Sequence, residues 1–264
     1  MFDAVSQGVL DGMFTVPAYY EGIEPVFGVE NGLAFTLQHV SDIDRLFYTF
    51  GMNELLQEVY GKHNIYFLGP LSQTEMPIFS VPPIRTLDDL KGLKIRTYGF
   101  GVPVIEHFGA VIEWVPYSEL YVALSSGVVD ACTSGTPGEA VDNSIHEAAK
   151  YYCPDLPLMG TQEANIVINM DRWNELPSNL QAILISATKD MDMWFMVKNM
   201  NMDAEALNTL KEWGVETLYL SDADKKRLIE AGYLAWDKAA ALDAYSAEAV
   251  KLTLDYCRFV GYMD

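Results

Sequence analysis

The sequence predicts an α/β protein built of two similar lobes, and three observations carry that prediction. Between Leu90 and Pro137 strand-like and helix-like stretches alternate, the pattern of a mostly parallel sheet covered by helices. The segment Ala4-Val5-Ser6-Gln7-Gly8-Val9-Leu10-Asp11 returns 119 positions later as Ala123-Leu124-Ser125-Ser126-Gly127-Val128-Val129-Asp130, an internal repeat. A helical pattern opens at Ser178 and runs toward Trp213. At roughly 50 Å such a helix is too long for one ordinary lobe and lies along both.

The chain opens on the first copy of the repeat with almost no lead-in, as helix, glycine stop and a strand through Phe14 and Thr15. The second copy follows a strand-helix-strand unit, Leu93 to Val115, and the first follows nothing. Either the first lobe lacks an opening unit of about 25 residues or more by analogy with the second copy, or it is simply smaller. Val16 to Tyr20 is expected as the loop that brings Tyr19 and Tyr20 to the cleft. Asn31 to Leu37 reads as loop and short helix, and Asp42 to Tyr60 as one helix, with apolar Leu46, Phe47, Phe50, Leu55, Leu56 and Val59, ended by Gly61. Asn64 to Leu68 and Thr74 to Ser80 read as strands, the second where the chain crosses between lobes, and Leu87 to Gly92 as a short capped helix.

Leu93 to Thr97 alternates apolar and polar, a strand, followed by a turn at Gly99 and Gly101, a helix to Gly109 and a strand at Ile112 to Val115. Ser118 is placed to cap a helix that stops at Gly127, Val128 to Cys132 is the third strand, and Thr133 to Gly138 a polar loop. Glu139 to Tyr152 is expected as a helix, Ala164 to Asn169 and Val215 to Leu220 as strands, and Leu234 to Met263 as amphipathic helix. The expected division is 1–73 with 165–205, 74–164 with 206–225, and a C-terminal helical segment over 226–264.

Composition narrows the function. The chain has 264 residues, half of them hydrophobic, and a formal net charge of −20, which excludes nucleic acid and anionic membrane surfaces as partners. It does not exclude a small anion, because one buried arginine dominates a pocket locally. No apolar run is long enough to span a bilayer, and Met1 to Gly12, with Asp3 and Asp11 and no basic residue, is not a signal peptide. Cys132, Cys153 and Cys257 are far apart and fit buried thiols. His39, His63, His107 and His146 are scattered, and no HExxH, GxSxG, Walker A or GxGxxG spacing occurs. No cofactor or metal is expected.

Ligands of such sheets sit beyond the carboxyl ends of the strands, where Arg96, Tyr117, Thr133 and Ser134 fall. Arg96 offers a bidentate grip on a carboxylate, or else is a surface arginine paired with an acid. Tyr117, Tyr19 and Tyr20 can wall a pocket, with Trp114 as wall or core. Glu75 reads as an acceptor or metal ligand in the cleft, or as an exposed edge acid. Thr133, Ser134 and Thr136 bring hydroxyls to a helix start that can hold an anion, or form a capping loop.

These residues also resemble a known family. Leu87-Asp88-Asp89-Leu90-Lys91-Gly92-Leu93-Lys94-Ile95-Arg96 is similar to the DLKGLKxR signature of the solute-binding proteins of TRAP transporters, the DctP-like family. Tyr117 to Ser126 with Gly127-Val128-Val129-Asp130, Trp173 to Pro177, and Phe2 to Asp11 resemble three further segments of that family, in its order and spacing. The resemblance implies a two-lobe periplasmic-binding-protein-like fold, with two mixed sheets flanked by helices, that closes around a carboxylate by hinge motion. It implies a small carboxylate ligand held by Arg96, with Tyr117 as wall and Ser134 or its neighbour as polar contact. It further implies a periplasmic location, TRAP membrane subunits as partners, no membrane span of its own, and a missing opening strand-helix-strand. Tyr19-Tyr20 and Phe35 to Gln38 are similar to the branch that binds 2-oxo acids, which carries a Glu-Trp pair where this chain has Thr133-Ser134 and a Gln near Glu75. An enzyme of lyase or transferase type on a similar fold, and a ligand sensor, are the alternative readings.

Overall fold

The structure is a computed structural model and describes residues 1–158 and 161–263. It opens on helix α1 (Phe2–Ser6) and strand β1 (Gly12–Thr15), a 3-10 turn at Pro17–Tyr20, and helices α2 (Val26–Asn31), α3 (Ser41–Thr49) and α4 (Met52–Gly61). Strand β2 (Ile65–Gln73) leads across to β3 (Ile78–Ser80) and a 3-10 turn at Leu87–Leu90. The second lobe adds β4 (Lys94–Arg96), α5 (Gly101–His107), β5 (Val111–Ile112), α6 (Leu120–Ser125), β6 (Ala131–Thr133), α7 (Pro137–Asp142), α8 (Ile145–Ala148) and β7 (Tyr151–Cys153). Strand β8 (Gln162–Asn169) returns to the first lobe, followed by α9 (Met170–Glu175), α10 (Ser178–Glu212), β9 (Glu216–Thr217), α11 (Asp222–Ala240) and α12 (Ala244–Val260).

The internal repeat is a repeat of structure. Gly8 and Gly127 both take left-handed backbone, at φ 72 and 74. The Val9 and Leu10 amides close onto Ala4 O, as those of Val128 and Val129 close onto Ala123 O. Each helix then feeds a strand four residues past its glycine. Val128 and Val129 thus belong to the helix cap, and the third strand of the sequence reading starts later, at Ala131. The repeat leaves the two sheets unequal. In the second lobe β6 has β4 beside it in parallel, whereas among the described residues β1 is an edge strand of the sheet β1-β8-β2.

The second sheet, ordered β5-β4-β6-β3-β7-β9, is mixed as the resemblance implied, because β3 runs antiparallel to both its neighbours, unlike the mostly parallel sheet that strand-helix alternation alone suggests. Strand alternation sends Ile78, Ile95, Ala131 and Cys153 to one face, under Val104, Ile105, Leu228 and Ala231. Phe79, Cys132 and Tyr152 go to the other, under Leu120, Leu124, Ile145 and Leu210. The first lobe has its own core around Phe27, Tyr60 and Phe67, and α12 adds Ala249, Val250, Tyr256 and Cys257 to it. Helix α11 straddles the lobes: Leu228 and Ala231 pack in the second, while Trp236 packs in the first and donates Nε1–H to Ala34 O at 2.9 Å.

Several expected elements are split or trimmed. The helix foreseen over 42–60 breaks at Gly51, whose φ is 92. The helix foreseen over 139–152 breaks at Ser144, at φ 58, and its end is strand β7. The amphipathic stretch over 234–263 is two helices, the second capped by Asp243, which accepts from Ser246 N at 2.6 Å. Strand pairing beyond Ile112 continues only through Glu113 N to Ile95 O at 3.1 Å, so the expected strand to Val115 ends early. Tyr19 and Tyr20 sit on a 3-10 turn where a loop was expected.

Helix α10 packs on β2 and on α7, so it does span both lobes. Its buried Asp192 accepts from Ser72 N at 2.5 Å, and its Oδ2 lies 3.3 Å from Ser72 Oγ. Burial, reinforced by the Asp44 carboxyl beside it, pushes the Asp192 pKa up to about 7. A carboxyl raised above its unfolded value keeps a proton that the unfolded chain releases. Its contribution to stability is complete below about pH 4 and is lost as pH rises through about 7. The stability of Asp192→Asn relative to wild type should therefore grow by about 2–4 kcal/mol between pH 4 and pH 8 in urea unfolding. A difference that stays flat with pH would refute the buried proton.

Candidate functional site

Arg96 ends β4 opposite Cys132 of β6 and is 3 % exposed. Its Nε donates to Val115 O at 3.2 Å and its Nη1 to Thr133 O at 3.0 Å. Two of the five N–H donors of a guanidinium are thus used to brace it, and the others have no partner among the described residues. Its Cζ lies 5.0 Å from the centre of the Tyr98 ring, a cation–π stack that fixes the plane of the fork. Tyr98 was not among the residues expected at the site, although it follows Arg96 by two along an extended chain and so falls on the same side.

A cavity of 650 Å³ opens at Arg96 between the lobes. The first lobe gives it Ala18, Tyr19 and Glu21, and the second gives Arg96, Tyr98, Trp114 and Tyr117 among others. The rings of Tyr19 and Tyr98 meet across the lobes at 5.6 Å and 53°. Trp114, expected inside a strand, lies beyond β5 and is 75 % exposed at this cavity. The Tyr98 hydroxyl is directed to Met76 Sδ at 3.4 Å. The Tyr117 hydroxyl donates to Ser134 O at 3.2 Å and accepts from Asn143 Nδ2 at 3.1 Å. Burial raises the pKa of both phenols, and the Glu139 carboxyl raises that of Tyr117 further. Glu21 is exposed to solvent at the cavity, and the partial desolvation there raises its carboxyl.

The remaining expected residues divide. Thr133 and Ser134 are fully buried. The Thr133 hydroxyl goes to Thr97 Oγ1 at 3.3 Å, and Ser134 Oγ has no partner among the described residues. Their carbonyls, however, hold Arg96 and Tyr117, so these two residues shape the rim through the backbone. Thr136 and Glu139 form a capping box at the start of α7. Tyr20 turns away from the cleft and packs on Phe2, ring centres 5.3 Å apart, against the first-lobe core. Glu75 lies in a second cavity, of 620 Å³, with His39, Tyr152, Met200 and Asp203, where burial raises its carboxyl and His39 lowers it. The three cysteines are free and buried, and burial pushes the Cys132 thiol up to about 12.

The chain is 26 % identical over 246 residues to a monocarboxylate 2-oxoacid-binding periplasmic protein of Nostoc sp. strain PCC 7120, covering 92 % of this chain and 67 % of that protein. It is 30 % identical over 142 residues to a solute-binding protein of Sulfitobacter sp. strain NAS-14.1, over 52 % of this chain and 41 % of the relative, so it spans well under two thirds of that protein. The structure superposes with a TM-score of 0.88 on a TRAP periplasmic solute-binding protein of Colwellia psychrerythraea with bound calcium and pyruvate, at 26 % identity over 98 % of this chain and 79 % of that one. The two-lobe fold with mixed sheets is therefore that of TRAP solute-binding proteins. Residues 1–242 match bacterial extracellular solute-binding protein, family 7, and the chain belongs to this DctP family.

Proposed function

We propose that the chain binds a small organic acid by its carboxylate between the two lobes, in the periplasm, and delivers it to a TRAP-type membrane transporter. The carrying observation is Arg96. It is buried at an interlobe cavity with donors to spare, and no ion pair among the described residues includes it. A buried cation without a counter-charge is costly, and a ligand carboxylate supplies one through a charge-assisted fork. Closure of the lobes desolvates that pair and strengthens it, so the ligand favours the closed form and drives the hinge. The family is one of solute-binding receptors. Among the described residues no helix is long and apolar enough to cross a membrane, which fits a receptor that meets separate membrane subunits.

The test is thermal unfolding with and without pyruvate, malonate and benzoate. A ligand at a hundred times its Kd adds about 2.7 kcal/mol, a rise of roughly 5–10 °C for a chain of this size. Melting that is unmoved by every carboxylate would overturn the proposal.

A further inference from the structure

Resting on that reading, we infer that the ligand carries one carboxylate and an aromatic ring, and that Glu21 rejects a second carboxylate. Among the described residues, the charged side chains lining the Arg96 cavity are one cation and one acid, Arg96 from the second lobe and Glu21 from the first. Arg96 satisfies one carboxylate. A second carboxylate on the same ligand meets Glu21, and the cavity then either suffers like-charge repulsion or takes up a proton. Such a repulsive element is how a site discriminates between ligands that its attractive contacts cannot separate. The Glu21 carboxyl lies over Gly28, where a Cβ would come within 2.9 Å of Oε2.

The walls select the body of the ligand. Tyr98 and Tyr117 have their hydroxyls committed to Met76, Ser134 and Asn143, so their contribution to the cavity is ring surface. Tyr19 and Trp114 add rings that are 51 % and 75 % exposed, and Val102 and Ile112 complete an apolar lining. A sugar acid finds only Tyr19, Glu21, Thr97, Trp114 and Ser118 as further side-chain partners for its several hydroxyls among the described residues, and each hydroxyl left unpaired costs affinity. An acid of three or four carbons leaves most of 650 Å³ unfilled and forgoes those contacts. A flat ring stacks on the exposed aromatic surfaces while its carboxylate reaches Arg96.

Isothermal titration of the full chain with benzoate, picolinate, pyruvate, succinate and gluconate tests this. At least one of the two ring acids should bind about tenfold or more tighter than pyruvate, succinate and gluconate. In Glu21→Gln the ratio of succinate to ring-acid affinity should rise about fivefold or more, and in Tyr19→Ala the ratio of ring-acid to pyruvate affinity should fall about fivefold. Both positions are exposed, so circular dichroism of the variants should match wild type. If pyruvate, succinate or gluconate binds as tightly as the ring acids, or either ratio is unmoved, the inference is overturned while carboxylate binding stands. If no acid binds, the carboxylate reading fails, and this inference fails with it.

Discussion

Arg96→Ala should weaken binding of the best carboxylate by about 2–5 kcal/mol, which takes a micromolar ligand to between about 30 μM and several millimolar in calorimetry. The expectation rests on the burial of the guanidinium and on its being the one cation lining its cavity among the described residues. Truncation removes the counter-charge of a ligand group that closure has already stripped of water, and nothing else along that wall replaces it. The same change frees the carbonyls of Val115 and Thr133, so a stability loss of about 1–2 kcal/mol accompanies it. Arg96→Lys separates the two effects. An ammonium keeps the charge, but it cannot brace two carbonyls and still present a planar fork. Its affinity should fall between wild type and alanine, by roughly 1–3 kcal/mol. Urea unfolding without ligand reports the structural part and titration the rest. Affinity within threefold of wild type in the alanine variant would remove Arg96 from the site.

Arg96 was legible because its position needs only local information. Strand-helix alternation puts the end of its strand at the rim, and the structure places it there, buried and braced by neighbouring strands. Tyr98, two residues on, shares that side, but it lies past the end of β4 and beside the Gly99 turn, where strand alternation no longer speaks for it. Adjacent residues on a 3-10 turn diverge by about 120°, which is why Tyr19 reaches the cleft while Tyr20 enters the core. Thr133 and Ser134 were read by their hydroxyls, whereas at a buried strand end the carbonyls are what remains to offer. Glu21 carried no sequence signal, because its place in the cavity that Arg96 lines depends on how two lobes far apart in sequence meet. Strand β7 was hidden for a similar reason. Its pairing with β3 joins residues more than seventy positions apart, and the local cue against a continuous helix is one serine in left-handed conformation.

Asp42→Ala should be the most destabilising of the single changes considered, at about 3–5 kcal/mol, or roughly 6–15 °C in melting temperature. Asp42 is 1 % exposed at the start of α3 and joins that helix to the end of the chain. Its Oδ2 accepts from Gln38 N at 3.1 Å, His39 N at 2.9 Å and the Tyr262 hydroxyl at 2.8 Å, and its Oδ1 accepts from the Tyr256 hydroxyl at 2.5 Å. Alanine leaves the fully buried Tyr256 phenol without its acceptor, at about 1–3 kcal/mol, and also removes the acceptor of Tyr262 and of the two amides just before α3, at roughly 0.5–1.5 kcal/mol each. Asp42→Asn keeps the shape and one carbonyl oxygen, and the phenols can turn to accept from its amide, so its loss should be about half as large. Tyr256→Phe deletes one donor and leaves three, and about 1–2 kcal/mol is expected. Because Asp42 lines neither cavity, benzoate affinity in Asp42→Ala should stay within about twofold below its melting point, the reverse of Arg96→Ala. A stability loss under about 1 kcal/mol for alanine would show that water or a shifted α12 takes over these bonds, and that the first lobe does not depend on its C-terminal helix in the way its core implies.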